Sequence, residues 1–126
     1  MVSIRRLIPL AVIILLSFSQ LSASVCVNRF LARSDGPRQV VTLLTGKVTY
    51  QEARALSSSS VEWVDEKGNR VAESVEVKAL RPMPVACDGK ASGVVMLATF
   101  LSVRAPSKKM FVKLAGSGPV EFTEQQ

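Results

Sequence analysis

Short β-branched and apolar runs, separated by clusters that contain Gly and Pro, constrain the fold of this chain more than any other feature. Seven or eight such runs lie between positions 25 and 126. Strands of this kind, with turns at short intervals, are typical of all-β sandwiches and barrels. The sequence therefore predicts an all-β fold, a small antiparallel β-sandwich with one short helix near residues 50–56.

One run, residues 93–103 (GVVMLATFLSV), carries no charged side chain. Alternate side chains of a strand point to opposite faces, and here both faces are mostly apolar. One face belongs to the core. The other needs a cover, for which Tyr50, Leu56 or the N-terminal segment at Cys26 is available. Without a cover it is an exposed apolar surface, and such surfaces usually bind a partner.

A capping box predicts where the helix begins. Thr49 is positioned to accept a hydrogen bond from the backbone N–H of Glu52, whose side chain reaches back to the backbone N–H of Thr49. Tyr50, Ala53 and Leu56 lie along one side of this helix. A helix of two turns is marginal alone, so we expect that side to pack on the sheet.

Two further patterns predict strand faces and strand pairing. Residues 74–80 (SVEVKAL) alternate, which places Val75, Val77 and Ala79 inward. Residues 81–84 contain two prolines and are expected to interrupt the strand. Residues 93–115 are expected to form an antiparallel pair, because a short loop joins two adjacent runs.

The first 24 residues have the pattern of a secretory signal peptide. Arg5 and Arg6 precede an apolar run at residues 7–16, and small side chains lead to a cut after Ser24. This run is shorter than the roughly 20 residues that span a membrane, which disfavours an uncleaved anchor. We predict a leader at 1–24 and one domain at 25–126, secreted or periplasmic, with no stable membrane span after cleavage.

The remaining chain has two cysteines, Cys26 and Cys87. In an oxidising compartment such a pair most simply forms one disulfide, and two free redox thiols are the alternative. The order Cys26, Trp63, Cys87 is similar to that of an immunoglobulin domain, but the first interval is much too long for that arrangement. The predicted sandwich is therefore Ig-like only in architecture, and the likeness implies no function.

The composition removes several kinds of chemistry. The chain has no histidine, which excludes Ser-His-Asp and Cys-His arrangements. With two cysteines and no histidine, we expect neither a metal nor a cofactor. Asp65 and Glu66 lie at a predicted hairpin loop, where acids are ordinarily solvated, and Ser117 lies in a turn between glycines. We expect a protein that is not an enzyme; a small hydrolase that uses carboxylates ranks last.

One hairpin concentrates basic side chains: Arg104, Lys108, Lys109 and Lys113. They are a candidate patch for an anionic polymer or surface. The alternative is that they flank an apolar strand and keep it from pairing with other chains. Without the leader, 14 basic and 10 acidic residues remain, an excess too small to predict specific binding to nucleic acid.

These expectations converge on a binding role. We expect a non-catalytic protein that acts by binding another protein or by self-association. The alternative is a module that binds an anionic or carbohydrate surface through the basic hairpin.

Overall fold

The computed structural model of the protein describes residues 27–85 and 87–125. These residues form seven strands, one α-helix and one 3₁₀ turn. The elements are β1 (Asn28–Asp35), β2 (Arg38–Thr45), α1 (Tyr50–Arg54), the 3₁₀ turn (Ser58–Ser60), β3 (Val61–Val64), β4 (Arg70–Met83), β5 (Gly93–Leu101), β6 (Lys109–Leu114) and β7 (Pro119–Glu124). The prediction of an all-β fold is confirmed for this part of the chain.

The strands close into a barrel in the order β1-β2-β5-β4-β3-β6-β7. Every neighbouring pair is antiparallel except β1 and β7, which run parallel. This last pair is short, with Arg29 opposite Thr123 and Phe30 opposite Glu124. The backbone N–H of Gln125 extends it by donating to the carbonyl oxygen of Phe30 at 2.8 Å.

The expected β-sandwich is not confirmed, because the sheet forms a closed barrel instead of two separate layers. Alternation along a strand shows which residues face inward, and it does so equally in both architectures. What decides between them is the pairing of β7 with β1. That pairing brings together residues about 95 positions apart, which no local pattern records.

The expected antiparallel pair within residues 93–115 is wrong. β5 pairs with β2 on one side and with β4 on the other. β6 pairs with β3 and β7. Both edges of each strand are therefore occupied, and residues 102–108 cross an end of the barrel instead of turning a hairpin.

The core fills the barrel interior with aliphatic and aromatic side chains from all seven strands. Its largest fully buried members are Phe30, Leu43, Met96, Phe100, Met110 and Phe122. Trp63 points inward as predicted, and its ring meets Phe100 edge-on at a centroid distance of 5.9 Å. Burying each large apolar side chain contributes about 1.5–3 kcal/mol, so these residues dominate the stability of the barrel.

Helix α1 begins at the predicted capping box and packs on the core, as its apolar side predicted. The backbone N–H of Glu52 donates to Thr49 Oγ1 at 3.1 Å, and the backbone N–H of Thr49 donates to Glu52 Oε1 at 3.0 Å. Ala53 is buried, and Tyr50 and Leu56 pack against the barrel core. The apolar side of this five-residue helix supplies the tertiary contacts that so short a helix needs.

Strand β4 is long and twice irregular. Its register with β5 shifts between Ser74 and Glu76 and again between Ala79 and Arg81. Each shift is a bulge, which places an extra residue on β4 and increases its local twist. The extra residues are Val75 and Leu80. The first bulge reverses the alternation of inward and outward side chains: Ala72 and Ser74 are buried before it, whereas Val77 and Ala79 pack against the core after it.

The interruption expected at residues 81–84 is also wrong, since β4 continues through Pro82 to Met83. β3 pairs with β4 only between Arg70 and Glu73. Beyond Glu73, β5 is the one described strand beside β4, so Pro82 lies on a strand edge, where a missing N–H is tolerated. The 3₁₀ turn lies against β4, where Ser74 Oγ donates to the carbonyl oxygen of Ser58.

Candidate functional site

Most outward side chains of β2 and β5 are apolar or threonine. Across these two central strands Leu44 pairs with Val95, Thr42 with Leu97 and Val40 with Thr99. They point outward because the residues that alternate with them along each strand are fully buried inside the barrel. On the outward side, Val95 and Thr99 are themselves only 6% exposed. We call the outward side chains of β2 and β5, together with Leu31 on β1, the apolar face. Its members are Leu31, Val40, Thr42, Leu44, Val95, Leu97, Thr99 and Leu101.

The exposed apolar side chains of the described residues gather on the same half of the barrel. Five large ones are exposed, and each lies on β1, β4 or β5 or directly after β5: Leu31, Val75, Leu80, Leu101 and Val103. Leu101 is 59% exposed and Val103 is 86% exposed. The described residues of β3, β6 and β7 contribute none. Exposed apolar surface is therefore segregated to one side of the molecule.

This geometry answers the question that residues 93–103 raise. Val94 and Phe100 are fully buried inside the barrel. On the other side of the strand, Val95 and Thr99 are each 6% exposed and Leu97 is partly exposed, so Leu101, at 59%, is the exposed residue of this side. The predicted covers Tyr50 and Leu56 pack on the core instead, and Cys26 lies outside the described residues.

Basic side chains border the apolar face, each in register with one of its members. On β1, Arg29 is directly opposite Leu44 of β2. The other register pairs are Arg33 with Val40, Arg38 with Leu101, Lys78 with Leu97 and Arg81 with Val95. We call these five residues the basic rim: Arg29, Arg33, Arg38, Lys78 and Arg81. Their aliphatic stems can lie along the apolar face while the charged ends stay in water.

The charges of the basic rim are not neutralised locally. Within the described residues, none of the five cations makes an ion pair; the cations that do are Lys47, Arg70, Lys90 and Lys109. The acidic residues on the same four strands are Asp35, opposite Arg38, Glu76, opposite Thr99, and Glu73, which pairs with Arg70. With Arg70, six cations against three anions give this half of the barrel an excess of positive charge.

The predicted basic hairpin has a different environment. Lys109 Nζ lies 3.4 Å from Glu121 Oε1, and Lys113 is directly opposite Glu62 in the register of β3 and β6. Arg104 and Lys108 are exposed in the connection before β6. Two of the four predicted residues, Lys109 and Lys113, therefore have an acidic neighbour. The patch of Arg104, Lys108, Lys109 and Lys113 stays a prediction.

The candidate catalytic groups have structural partners. Asp65 accepts hydrogen bonds from the backbone N–H groups of Lys67 at 2.9 Å and Asn69 at 2.8 Å. The hydrogen bond from the Asn69 backbone, followed by that from Lys67, lowers the pKa of the Asp65 carboxyl. Ser117 Oγ donates to the carbonyl oxygen of Leu114 at 2.7 Å. Asp65 and Ser117 thus stabilise turns.

A cleft of about 1000 Å³ lies between α1, the loop of Asp88 and Lys90, and the turn after β6. Leu56 and Val120 contribute to its apolar lining. Its charged groups are paired with one another: Lys47 Nζ lies 3.0 Å from Asp88 Oδ2, and Lys90 Nζ lies 2.8 Å from Glu52 Oε1. Lys90 and the capping hydrogen bonds lower the pKa of Glu52. These pairs join the loop to the barrel and to the helix.

No family model, no curated protein and no solved structure matches this chain. Among the described residues no group of three or more His, Cys, Asp or Glu side chains is arranged to hold a metal ion. None of the helices in that part of the chain is long and apolar enough to cross a membrane.

Cys87 is buried beside Gly46 at the end of the barrel that carries α1. A Cβ atom on Gly46 would lie 2.8 Å from Cys87 Sγ, so glycine is needed for this close approach. Cys26, its predicted disulfide partner, lies outside the described residues. The disulfide between Cys26 and Cys87 stays a prediction.

The sequence of residues 93–103 indicated a second apolar strand face, but it did not predict the basic rim. The five cations are spread from position 29 to position 81, and no two are adjacent. They share a border because β1 and β4 flank the central pair of β2 and β5. The alternating pattern of β1 and β2 in the sequence could have predicted that their arginines point outward. It could not predict that these arginines lie near the cations of β4, because that depends on the order of the strands.

Proposed function

We propose that the protein is an exported, non-catalytic binding protein that docks another protein on its apolar face. The observation that carries the proposal is that all five exposed large apolar side chains of the described residues lie on β1 or β4, at the end of β5 or directly after it; Leu31 and Leu101 belong to the apolar face itself. Single exposed apolar residues are ordinary, but several on one half of a molecule are typical of interaction sites.

The proposal includes the export and the disulfide that the sequence predicts. A leader at 1–24 would deliver the domain to an oxidising compartment, where Cys26 and Cys87 would pair. In the chain-entropy model, a bridge that closes a loop of about 60 residues contributes roughly 4 kcal/mol. Such a bridge supports a small barrel outside the cell or in the periplasm.

Site-directed photocrosslinking tests the docking face. A photoreactive amino acid replaces Leu101 or Leu31 on the apolar face, and the matched control replaces Thr123, which is exposed on β7. In the cells that produce the protein, we expect an adduct of one defined mass from both apolar-face positions and none from Thr123. The adduct should disappear when Leu97→Glu places a charge at the centre of the face.

Two outcomes would contradict the proposal. Equal adducts from all three positions would show contact without a preferred face. The absence of any adduct from Leu101 and Leu31, with the β fold retained by circular dichroism, would show that nothing docks there. An adduct with twice the mass of the protein would identify self-association, the assembly form of the same proposal.

A further inference from the structure

We infer that the cleft beside α1 binds a small, uncharged and mainly apolar molecule. This site is separate from the proposed docking surface, since none of the residues that line the cleft belongs to the apolar face. Strands β1 and β7 begin at the cleft, and β2 and β6 end at it. The cleft therefore lies at one mouth of the barrel, and the mouths of β-barrels are common positions for ligand sites.

The floor of the cleft is continuous with the barrel core. Leu114 is 2% exposed and belongs to the core, and Val48, Leu56 and Val120 are half-buried against it. The volume of the cleft, about 1000 Å³, is at the upper end of the range for sites that hold small organic ligands. An apolar molecule in the cleft removes these half-buried side chains from water, which favours binding.

The charges of the cleft determine the class of ligand. Five charged residues line it, and each of them is in an ion pair. The pairs are Lys47 with Asp88 at 3.0 Å, Lys90 with Glu52 at 2.8 Å, and Glu121 with Lys109 at 3.4 Å. A charged ligand would lose hydration at the apolar floor without gaining an unpaired partner, which costs free energy. An uncharged ligand meets no such cost.

Asn28 adds a polar group to the lining. Its Oδ1 accepts a hydrogen bond from Thr45 Oγ1 at 2.6 Å, whereas its Nδ2 donates to no group among the described residues. A hydroxyl or carbonyl oxygen is a suitable acceptor for this amide. An alcohol or a ketone with an apolar body therefore uses both the floor of the cleft and the amide.

Ion pairs and hydrogen bonds hold the walls of the cleft. On one side, two ion pairs tie the loop of Asp88 to the segment after β2 and to α1. On the other side, the backbone N–H of Ala115 donates to the carbonyl oxygen of Ser60 at 2.8 Å. In the same turn, Ser117 Oγ donates to the carbonyl oxygen of Leu114 at 2.7 Å. A site whose walls are already ordered loses little conformational entropy on binding, which favours affinity.

The test uses the uncharged dye Nile red, whose fluorescence rises in apolar surroundings, and the protein produced from its full coding sequence. We expect saturable binding. Ala55→Trp and Pro119→Trp place a large ring in the cleft from two different walls, and each should lower the affinity for the dye by about tenfold or more. The matched control is Ala32→Trp, on an exposed position of β1 outside the cleft, which should leave the affinity within about twofold.

Competitors with one chain length identify the ligand class. Decanol, decanoate and decylammonium are titrated against the bound dye, and we expect decanol to displace it at a concentration about tenfold lower than either ion. In Glu52→Gln/Asp88→Asn, the two lysines of the cleft lose their carboxylate partners, while glutamine keeps the capping box possible. Decanoate should gain about tenfold in affinity for this variant. The matched control, Asp35→Asn/Glu76→Gln, removes the same charge outside the cleft and should leave decanoate within about twofold.

Three outcomes would overturn the inference. The absence of saturable Nile red binding would show that the cleft does not hold apolar molecules. Binding that both cleft variants leave unchanged, but that Leu97→Glu abolishes, would locate the dye on the apolar face instead. Displacement by decanoate or decylammonium at a lower concentration than decanol would show that the site prefers a charged ligand. None of these outcomes decides the docking face, which photocrosslinking at Leu101 tests separately.

Discussion

At the scale of single residues, Gly93 has the least room for a side chain among the glycines of the described residues. A Cβ atom there would collide with the carbonyl oxygen of Thr45 and lie 2.8 Å from the Cα of Gly46, both backbone atoms of β2 or its continuation. Backbone cannot move aside as a flexible side chain can. We therefore expect Gly93→Ala to reduce the free energy of unfolding by about 1–3 kcal/mol, measured by urea denaturation.

Gly116 provides the control for this prediction. A Cβ atom on Gly116 meets nothing within 4 Å, so Gly116→Ala should change the free energy of unfolding by no more than about 0.5 kcal/mol. Equal stability of the two variants would contradict the close approach of β2 and β5 at Gly93.

Asp65 makes the stability of its turn depend on pH. Because backbone hydrogen bonds from Asn69 and Lys67 lower the folded-state pKa of its carboxyl, the ionised form is favoured by folding. This contribution is complete above the unfolded pKa, about 3.9, and is lost as the pH falls through the lower folded value. The difference in unfolding free energy between the wild type and Asp65→Asn should therefore narrow in acid. A difference that stays constant from neutral pH to about pH 2 would contradict it.

At the scale of the elements, the two bulges of β4 decide which of its side chains are buried. Val75 is the extra residue of the first bulge and is 46% exposed, whereas Val77 packs against the core. We expect Val77→Thr to lower the free energy of unfolding by about 1–2 kcal/mol, because it places a hydroxyl against the core. Val75→Thr should cost less than about 0.5 kcal/mol. A regular strand would give equal losses at the two positions.

The same elements show which structural features the sequence patterns predicted and which they did not. The capping box of Thr49 and Glu52 and the inward side of α1 are local, and both were predicted. Val75 was predicted inward and lies exposed, because a bulge reverses alternation without leaving a mark in SVEVKAL. The predicted pairing of β5 with β6 was wrong, because strands that are consecutive in the sequence need not be neighbours in a barrel. The basic rim is non-local in the same way, since its five cations come from three strands.

At the scale of the whole molecule, the predicted leader and disulfide can be checked together. We expect intact mass spectrometry of the protein from its natural source to show that residues 1–24 are absent. Alkylation without reductant should leave Cys26 and Cys87 unmodified, and reductant should expose both. A protein that retains Met1 and reacts at both cysteines without reductant would contradict export and the disulfide alike.

The two halves of the barrel surface differ in how their charges are used. On β3, β4 and β6, Arg70 pairs with Glu62 and Glu73, and Lys109 pairs with Glu121 across β6 and β7. The basic rim on the other half has no such pairs among the described residues. A partner that approaches β1, β2 and β4 therefore meets the basic rim, whose cations have no ion pair among the described residues.

The short contact between β1 and β7 has a consequence for biosynthesis. Of the seven strands, β7 is the last to leave the ribosome, and the edge of β1 that it covers has no partner until then. The nascent chain is consequently an incomplete sheet for nearly all of its synthesis. For the export that we propose, this order is useful, because a chain that has not yet folded can still be threaded through a translocation channel.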